Sequence, residues 1–475
     1  MSRIALVSVP TMTESYHSLQ YFIAIPYPVS FLTMAATLEQ AGHEVLLYDA
    51  EARGSDFAKT VADVLSFDPD VVGVTAMTPT VMQAGRFCDA IKAVRPTTRI
   101  VLGGVHATAL PERTLAEFPA VDAIVKGEGE YILPQLVGAW GVGTPLDEIP
   151  GLSWRESGGV RSTPQPPPIR PLDELPLPAY HLLDGQRYRS YGWNAWNAGV
   201  RSPMASIFTS RGCYRQCTFC ASGTTLGHGI RYHGVDRVLE EIDQLVHRHH
   251  IRILYINDDT FAAHPKRAAA ICEGIIKRGY NLSIMISARC DEADPELFKL
   301  MHRAGVDWCF FGIESGNQQV LDRVNKGITL EQIDTALRIA GRAGIHIGGN
   351  FILGLPGETA ETIRETIRLA LRYPMEYASF AICLPFPGSA LYEQIKDRPD
   401  LPDWSGFRLT NARPIPLGEL SPEELQAWRF RATLSFFARP SYLLRLLKRF
   451  NRRVIIEDFA RMGLDVLWER LQKRY

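Results

Sequence analysis

Ser210-Arg211-Gly212-Cys213-Tyr214-Arg215-Gln216-Cys217-Thr218-Phe219-Cys220 is the stretch that decides the fold: three of the chain's eight cysteines fall within it, spaced C-x3-C-x2-C. The run comes directly after a short apolar segment at 205–209, which places it in the loop at the carboxyl end of an expected strand. Thiolates are natural ligands of iron–sulfur clusters, and one loop can fold three of them around a cubane. Three ligands rather than four leave one iron open. A zinc site asks for four ligands in paired spacings, and the nearest further candidates, His228 and His233, do not supply that pattern. The remaining cysteines, Cys88, Cys272, Cys290, Cys309 and Cys383, stand singly in helical or strand-like contexts and are expected to pack as small hydrophobes. This distribution suits a reducing compartment, not a disulfide-stapled secreted scaffold.

Outward from the cysteines, short apolar runs alternate with helical patterns. Strands are expected at 205–209, 253–257, 283–288, 308–312, 346–352 and 377–384, with helices at 235–249, 265–277, 295–303, 330–342 and 361–371. Six βα repeats fall two short of a closed eight-unit barrel, so a partial barrel is expected, with its site at the carboxyl ends of the strands. An earlier series has strands at 4–9, 44–48, 71–75, 99–102 and 123–125. Helices at 31–40, 57–66, 81–94 and 111–118 separate them. Five such units predict a doubly wound parallel sheet of flavodoxin-like order, binding a ligand over its strand ends. The class is therefore α/β: a first domain over 1–140, a proline-rich linker over 141–199, a partial (β/α)6 core over 200–415 and a helical region over 416–475.

The cysteine run, with aromatic Phe219 before its last member, resembles the signature of the radical S-adenosylmethionine (SAM) superfamily. The later strand ends agree with it in order. Asn257-Asp258-Asp259 ends the second strand, where the family meets the SAM amine, so Asp258 or Asp259 is the implied partner. Arg289 ends the third strand and is implied to meet a carboxylate; Asp291 nearby is an alternative partner. Glu314 ends the fourth and is implied to hold the SAM ribose, or alternatively to cap the next helix. Asn350-Phe351-Ile352-Leu353-Gly354-Leu355-Pro356-Gly357-Glu358 resembles the family's adenine-supporting G-x-I-x-G-x-x-x-E strand, with Asn350 in place of the first glycine. The resemblance implies that a 4Fe-4S cluster on Cys213, Cys217 and Cys220 opens SAM reductively to a deoxyadenosyl radical.

In front of such a barrel, the first domain resembles the cobalamin-binding domain of one large subgroup. Gly103-Gly104-Val105-His106 and Gly127-Glu128-Gly129 come after the fourth and fifth strands, and Thr75 ends the third. In the subgroup, segments of this kind line the corrin and its nucleotide tail. The first βα loop, around Met12-Thr13-Glu14-Ser15-Tyr16-His17, lacks the D-x-H-x-x-G pattern that ligates cobalt through histidine. Base-off cobalamin without a histidine ligand is therefore implied, with His106 a hydrogen-bonding or packing residue.

The resemblance implies a cobalamin-dependent methyltransferase acting on an unactivated carbon. Its alternatives are a cobalamin-dependent cyclisation or ring rearrangement without methyl transfer and, from another class, a non-catalytic sensor or carrier of cluster and corrin. A small-molecule substrate, large and apolar by the aromatic content, and a low-potential donor such as flavodoxin or ferredoxin are the expected partners. A net charge of -1 gives no general pull toward nucleic acid. Residues 1–10 lack the features of a signal peptide and no run spans a bilayer, so a cytoplasmic location is expected. The last part, 439–475, holds ten Lys/Arg against four Asp/Glu, with Tyr442, Phe450, Phe459 and Trp468 interleaved. It reads as helices with a solvated basic face, or as a membrane-surface contact. The loop 384–389 and Trp404 are expected in loop structure or core packing, with a substrate pocket as the alternative.

Overall fold

A computed structural model describes residues 1–11, 25–188, 203–408 and 413–449. The segment around Met12 to His17 and the tail aromatics Phe450, Phe459 and Trp468 lie outside these residues. Among the described residues no helix is long and apolar enough to cross a membrane.

The first sheet contains β1 (Arg3–Ser8), β2 (Glu44–Asp49), β3 (Val71–Thr75), β4 (Arg99–Gly103) and β5 (Ala123–Val125). They pair in parallel in the order 2-1-3-4-5, the flavodoxin-like order expected from the sequence. Helices cover both faces, so the strands are buried apolar runs such as Ile4-Ala5-Leu6-Val7. Two further strands, β6 (Leu152–Glu156) and β7 (Gly159–Ser162), extend the sheet as an antiparallel hairpin. They fall in the stretch expected to be linker. Trp154 and Leu152 are buried against the first domain, so the sheet runs on past residue 140. Only after Ser162 does the proline-rich chain cross to the barrel.

The second sheet is entirely parallel: β8 (Met204–Ile207), β11 (Ile253–Ile256), β12 (Ser283–Ala288), β13 (Val306–Glu314), β14 (His346–Leu353) and β15 (Tyr377–Ile382). The order 15-14-13-12-11-8 makes an open, six-stranded partial barrel. Its helices carry local start signals, for example the Thr329–Gln332 and Thr359–Thr362 capping boxes. Between β8 and β11 a short antiparallel pair, β9 (Ser210–Arg211) and β10 (Arg231–Tyr232), brackets the cysteine loop at its base.

The domains share their packing. One apolar core runs from Ile4 and Leu32 through Ala205 to Phe351. A second combines the other face of the first sheet with Leu384, Tyr392, Trp404 and Phe407, which lie beyond the last barrel strand. The residues after β15 therefore bind the barrel back onto the first domain. Trp404 takes the packing reading: its indole donates to Glu117 Oε2 at 2.5 Å and sits edge-on to His106.

Candidate active site

Along each barrel strand, alternate side chains point to the helices or to the lumen. Leu254, Ile256, Ile286, Phe311, Phe351 and Phe380 take the helix side and are buried in the core. The intervening Tyr255, Ser287, Phe310, Asn350 and Ser379 are partly or fully exposed and line the lumen. Tyr255 Oη lies 3.5 Å from Ser287 Oγ, and Asn350 sits in register between Gly312 and Ser379. This face offers hydroxyls, one amide and aromatic edges.

The cysteine loop sits over the lumen's carboxyl end. Cys213 and Cys217 are half-buried and Cys220 is exposed, whereas the other five cysteines are buried. The loop is pinned at several points: Thr218 N–H donates to Val324 O at 3.0 Å, and Asn325 Nδ2 to Gln216 O at 3.0 Å. Leu391 N–H donates to Thr218 O at 2.8 Å. Burial raises the Cys217 thiol, opposed by the nearby Lys326 and Arg289 cations, which favour thiolate. Among the described residues no three His, Cys, Asp or Glu side chains converge as a single-ion site. A cubane instead takes each thiolate on a different iron, and accessible thiols on a pinned loop beside two cations fit that donor role.

Asp258 and Asp259, indistinguishable by sequence, have separate roles here. Asp258 is fully buried and its two oxygens accept four bonds: from Thr209 N and Ser210 N at 2.7 and 2.9 Å, and from their hydroxyls at 2.5 and 2.7 Å. It is saturated and unavailable to a cofactor amine; it fixes the entry to the cysteine loop. Asp259 is exposed, and its carboxylate accepts from the backbone N–H of Gly212 in the cysteine loop.

Arg289 takes its alternative partner. It forms a two-point pair with Asp291, at 2.9 and 3.2 Å, and donates to Lys326 O at 2.9 Å. Asp291 also accepts from Arg215 at 2.7 Å. Glu314 does not cap a helix; its Oε1 is 2.6 Å from Lys326 Nζ in a buried pair. Burial depresses Lys326, but Glu314 more than offsets this and its pKa is raised. Glu314 also has a left-handed backbone (φ 67°) just past a register shift in β13. A left-handed, non-glycine residue at a strand end is the kind of local strain that clusters at functional sites. A Cβ at Gly312 beneath it would stand 2.7 Å from Glu314 Oε1 and 2.9 Å from Lys326 Nζ, so a side chain there would displace the pair. Lys326 carries no sequence signal; it lies in an unremarkable loop and only the fold brings it beside Cys217 and Glu314.

Phe219 and Ile352 pack on one apolar cluster of Val320, Val324, Leu355, Cys383 and Leu391, which joins the cysteine loop to β14. Glu358 closes the turn after β14: its Oε2 accepts from Gly354 N at 2.6 Å, while its buried Oε1 has no partner among the described residues. Burial pushes this carboxyl up to about 7. The native state therefore holds a proton that the unfolded chain, titrating near 4.5, has released. That contribution is complete below about pH 4.5 and is lost as pH rises through 7. Glu358→Gln is thus expected to match the parent at pH 4.5 and to be more stable at pH 8, by up to about 3 kcal/mol. Denaturant unfolding at the two pH values checks this; an equal difference at both would contradict it.

In the first domain, Thr75, Gly103, Gly104, Gly127 and Gly129 line a cleft over the strand ends, walled by Leu6, Val74, Val101 and Val125. Gly104 (φ 95°) cannot carry a side chain, because a Cβ would meet Ala76 O at 2.5 Å. A glycine-floored, aliphatic cleft suits the flat aromatic tail of a corrinoid. His106 is buried outside it, with Nδ1 3.1 Å from Thr78 Oγ1. Burial lowers its pKa to about 4, so the ring is neutral. Glu128, expected at the cofactor, instead points to the barrel: Arg211 and Arg231 reach its two oxygens at 2.7 Å each. The glycines on either side line the cleft while the intervening side chain turns away from it. The helix Ser222–Leu226, just past Cys220, packs on the helix Val105–Ala109, just past Gly104. Cluster loop and cleft therefore adjoin.

Two family models match the chain: the B12 binding domain over residues 24–137 and the radical SAM superfamily over residues 207–370. The chain is 34% identical to an uncharacterized methyltransferase of Pyrococcus horikoshii, over 93% of this chain and 94% of that one. It is 30% identical to the anaerobic magnesium-protoporphyrin IX monomethyl ester cyclase of Rubrivivax gelatinosus, over 96% and 84% respectively. The radical SAM methyltransferase TsrM from Kitasatospora setae, solved with cobalamin and a 4Fe-4S cluster bound, shares the fold. Its TM-score is 0.70 at 19% identity, covering 93% of this chain and 90% of that one.

Proposed function

The chain belongs to the radical SAM enzymes that carry a cobalamin-binding domain, and from that premise we propose that it methylates an unactivated carbon of a small-molecule substrate. The observation that carries this reading is the adjacency of the two cofactor sites: the helix after Cys220 rests on the segment after Gly103-Gly104. Chemistry begun at the cluster can reach a group held in the cleft only if the two share a wall.

With the groups bound, SAM opened by the cluster supplies a hydrogen-abstracting radical and cobalamin supplies the methyl. The chain's own residues do the rest. Cys213, Cys217 and Cys220 hold the cluster, and Lys326 and Arg289 place positive charge beside it. Asp259 meets the SAM amine, Glu314 the ribose, and Ile352 with Phe219 supports the adenine. Tyr255, Ser287, Asn350 and Ser379 receive the substrate in the lumen. A low-potential donor of the flavodoxin or ferredoxin class would supply the electron.

The test is anaerobic incubation of the reduced holoenzyme with methyl-labelled SAM and a cell extract. S-adenosylhomocysteine and deoxyadenosine are expected in comparable amounts, with label in one new product. Deoxyadenosine with no S-adenosylhomocysteine would reject methyl transfer in favour of cyclisation or rearrangement.

A further inference from the structure

We propose that Glu128 and Glu130 are positioning residues that couple the cobalamin cleft to the cluster loop, so that occupancy of one changes the affinity of the other for its cofactor. The inference rests on the two cofactors and not on the methyl transfer proposed above.

Residues 127–130 face two sites at once. Gly127 and Gly129 line the cleft, so a ligand there presses on their backbone. The side chains of Glu128 and Glu130 leave in the other direction. Arg211 Nη1 is shared between Glu128 Oε1 at 2.7 Å and Glu130 Oε1 at 2.8 Å. Arg231 Nη1 meets Glu128 Oε2 at 2.7 Å, and that same oxygen accepts from Ile169 N at 2.8 Å. The four side chains are 3–9% exposed, which makes this a buried, charge-balanced network. Pulling any member away strands a buried charge, so the network moves as a unit.

Its far end is the base of the cluster loop. Arg211 and Arg231 face each other across β9 and β10, immediately outside residues 212–230, where all three cysteines lie. The next residue toward the barrel, Ser210, is held by Asp258. With the barrel side fixed, a displacement of residues 127–130 is taken up in the loop that carries the thiolates. Linkage requires the converse: SAM on the cluster must alter cobalamin affinity by the same factor.

The experiment uses the full chain with its cluster reconstituted and no substrate. SAM is titrated against the electron paramagnetic resonance signal of the reduced cluster, with and without hydroxocobalamin. In the parent, cobalamin is expected to shift the SAM dissociation constant by about fivefold or more. In Glu128→Gln/Glu130→Gln both cofactors are expected still to bind, with the shift reduced to less than about twofold. Should that variant fail to fold, Glu130→Gln alone keeps Glu128 between both arginines and is expected to weaken the shift by about half. Equal SAM affinity with and without cobalamin in the parent overturns the proposal, as does an undiminished shift in either folded variant. Because every readout is cofactor binding, a failure of methyl transfer leaves this result interpretable.

Discussion

Replacing Cys217 with alanine is expected to cut reductive SAM cleavage by at least about a thousandfold, roughly 4 kcal/mol of barrier, while leaving the fold intact. Cys217 is half-buried between the loop and the Lys326 and Arg289 cations, and its thiolate is one of only three available to the cluster. Loss of one ligand would leave the cubane on two, while Lys326 and Arg289 keep their carboxylate partners Glu314 and Asp291. Among the described residues the thiol makes no hydrogen bond and joins no apolar core cluster, so stability should change by no more than about 1 kcal/mol. Deoxyadenosine release from reduced, reconstituted protein measures the first effect and denaturant unfolding the second. Cleavage at the parental rate with a full cluster would remove Cys217 from the ligand set.

Asp258→Ala should instead act through stability. The parent carboxylate satisfies two backbone N–H groups and two hydroxyls, all buried. Alanine strands those buried donors. Hydrogen bonds to a charged group contribute about 1.5–3 kcal/mol each in the net, and they are not additive. A loss of roughly 3–5 kcal/mol in unfolding free energy is expected, together with poor cluster loading, because the entry to the cysteine loop is no longer fixed. Asp258→Asn, which keeps an acceptor for part of the set, should fall between. If Asp258→Ala unfolded like the parent but failed to bind SAM, the residue would belong to the cofactor and not to the scaffold.

These two residues also show what a sequence can convey. Local features are legible: the apolar runs of the parallel strands in both sheets and the cysteine spacing derive from residues close in the chain. The β6–β7 hairpin is hidden because its strands are short, polar on one face and flanked by prolines, so it reads as connector. Pairings between distant residues are hidden for a different reason. Glu128 meets Arg211 across 83 residues, and Lys326 meets Glu314 only because β13 and the loop after the next helix return to the same strand end. Nothing in either neighbourhood names the partner. Asp258 and Asp259 are adjacent and chemically identical, yet in the loop after β11 one is buried against Thr209 and Ser210 and its neighbour is exposed. Placement in the fold, not residue type, separates them.

Position alone puts Glu128 at the cofactor. A Gly-Glu-Gly stretch at a strand end belongs at the cleft, and the two glycines line it. The glutamate side chain does not, because the chain bends at left-handed Gly127 (φ 76°) and Arg211 and Arg231 hold the carboxylate on the barrel side. The glutamate therefore ties the first domain to the barrel's arginines while the glycines leave room for the ligand.

The proposed chemistry depends on three thiolates holding a cubane whose fourth iron stays open to SAM. Mössbauer spectroscopy of anaerobically reconstituted, iron-57-enriched full-length protein tests this most directly. A 4Fe-4S spectrum in which SAM alters one iron site, and which is lost when Cys213, Cys217 and Cys220 are all replaced by alanine, is the predicted result. Zinc in place of iron in the purified chain, or an undiminished cluster in the triple variant, would contradict it.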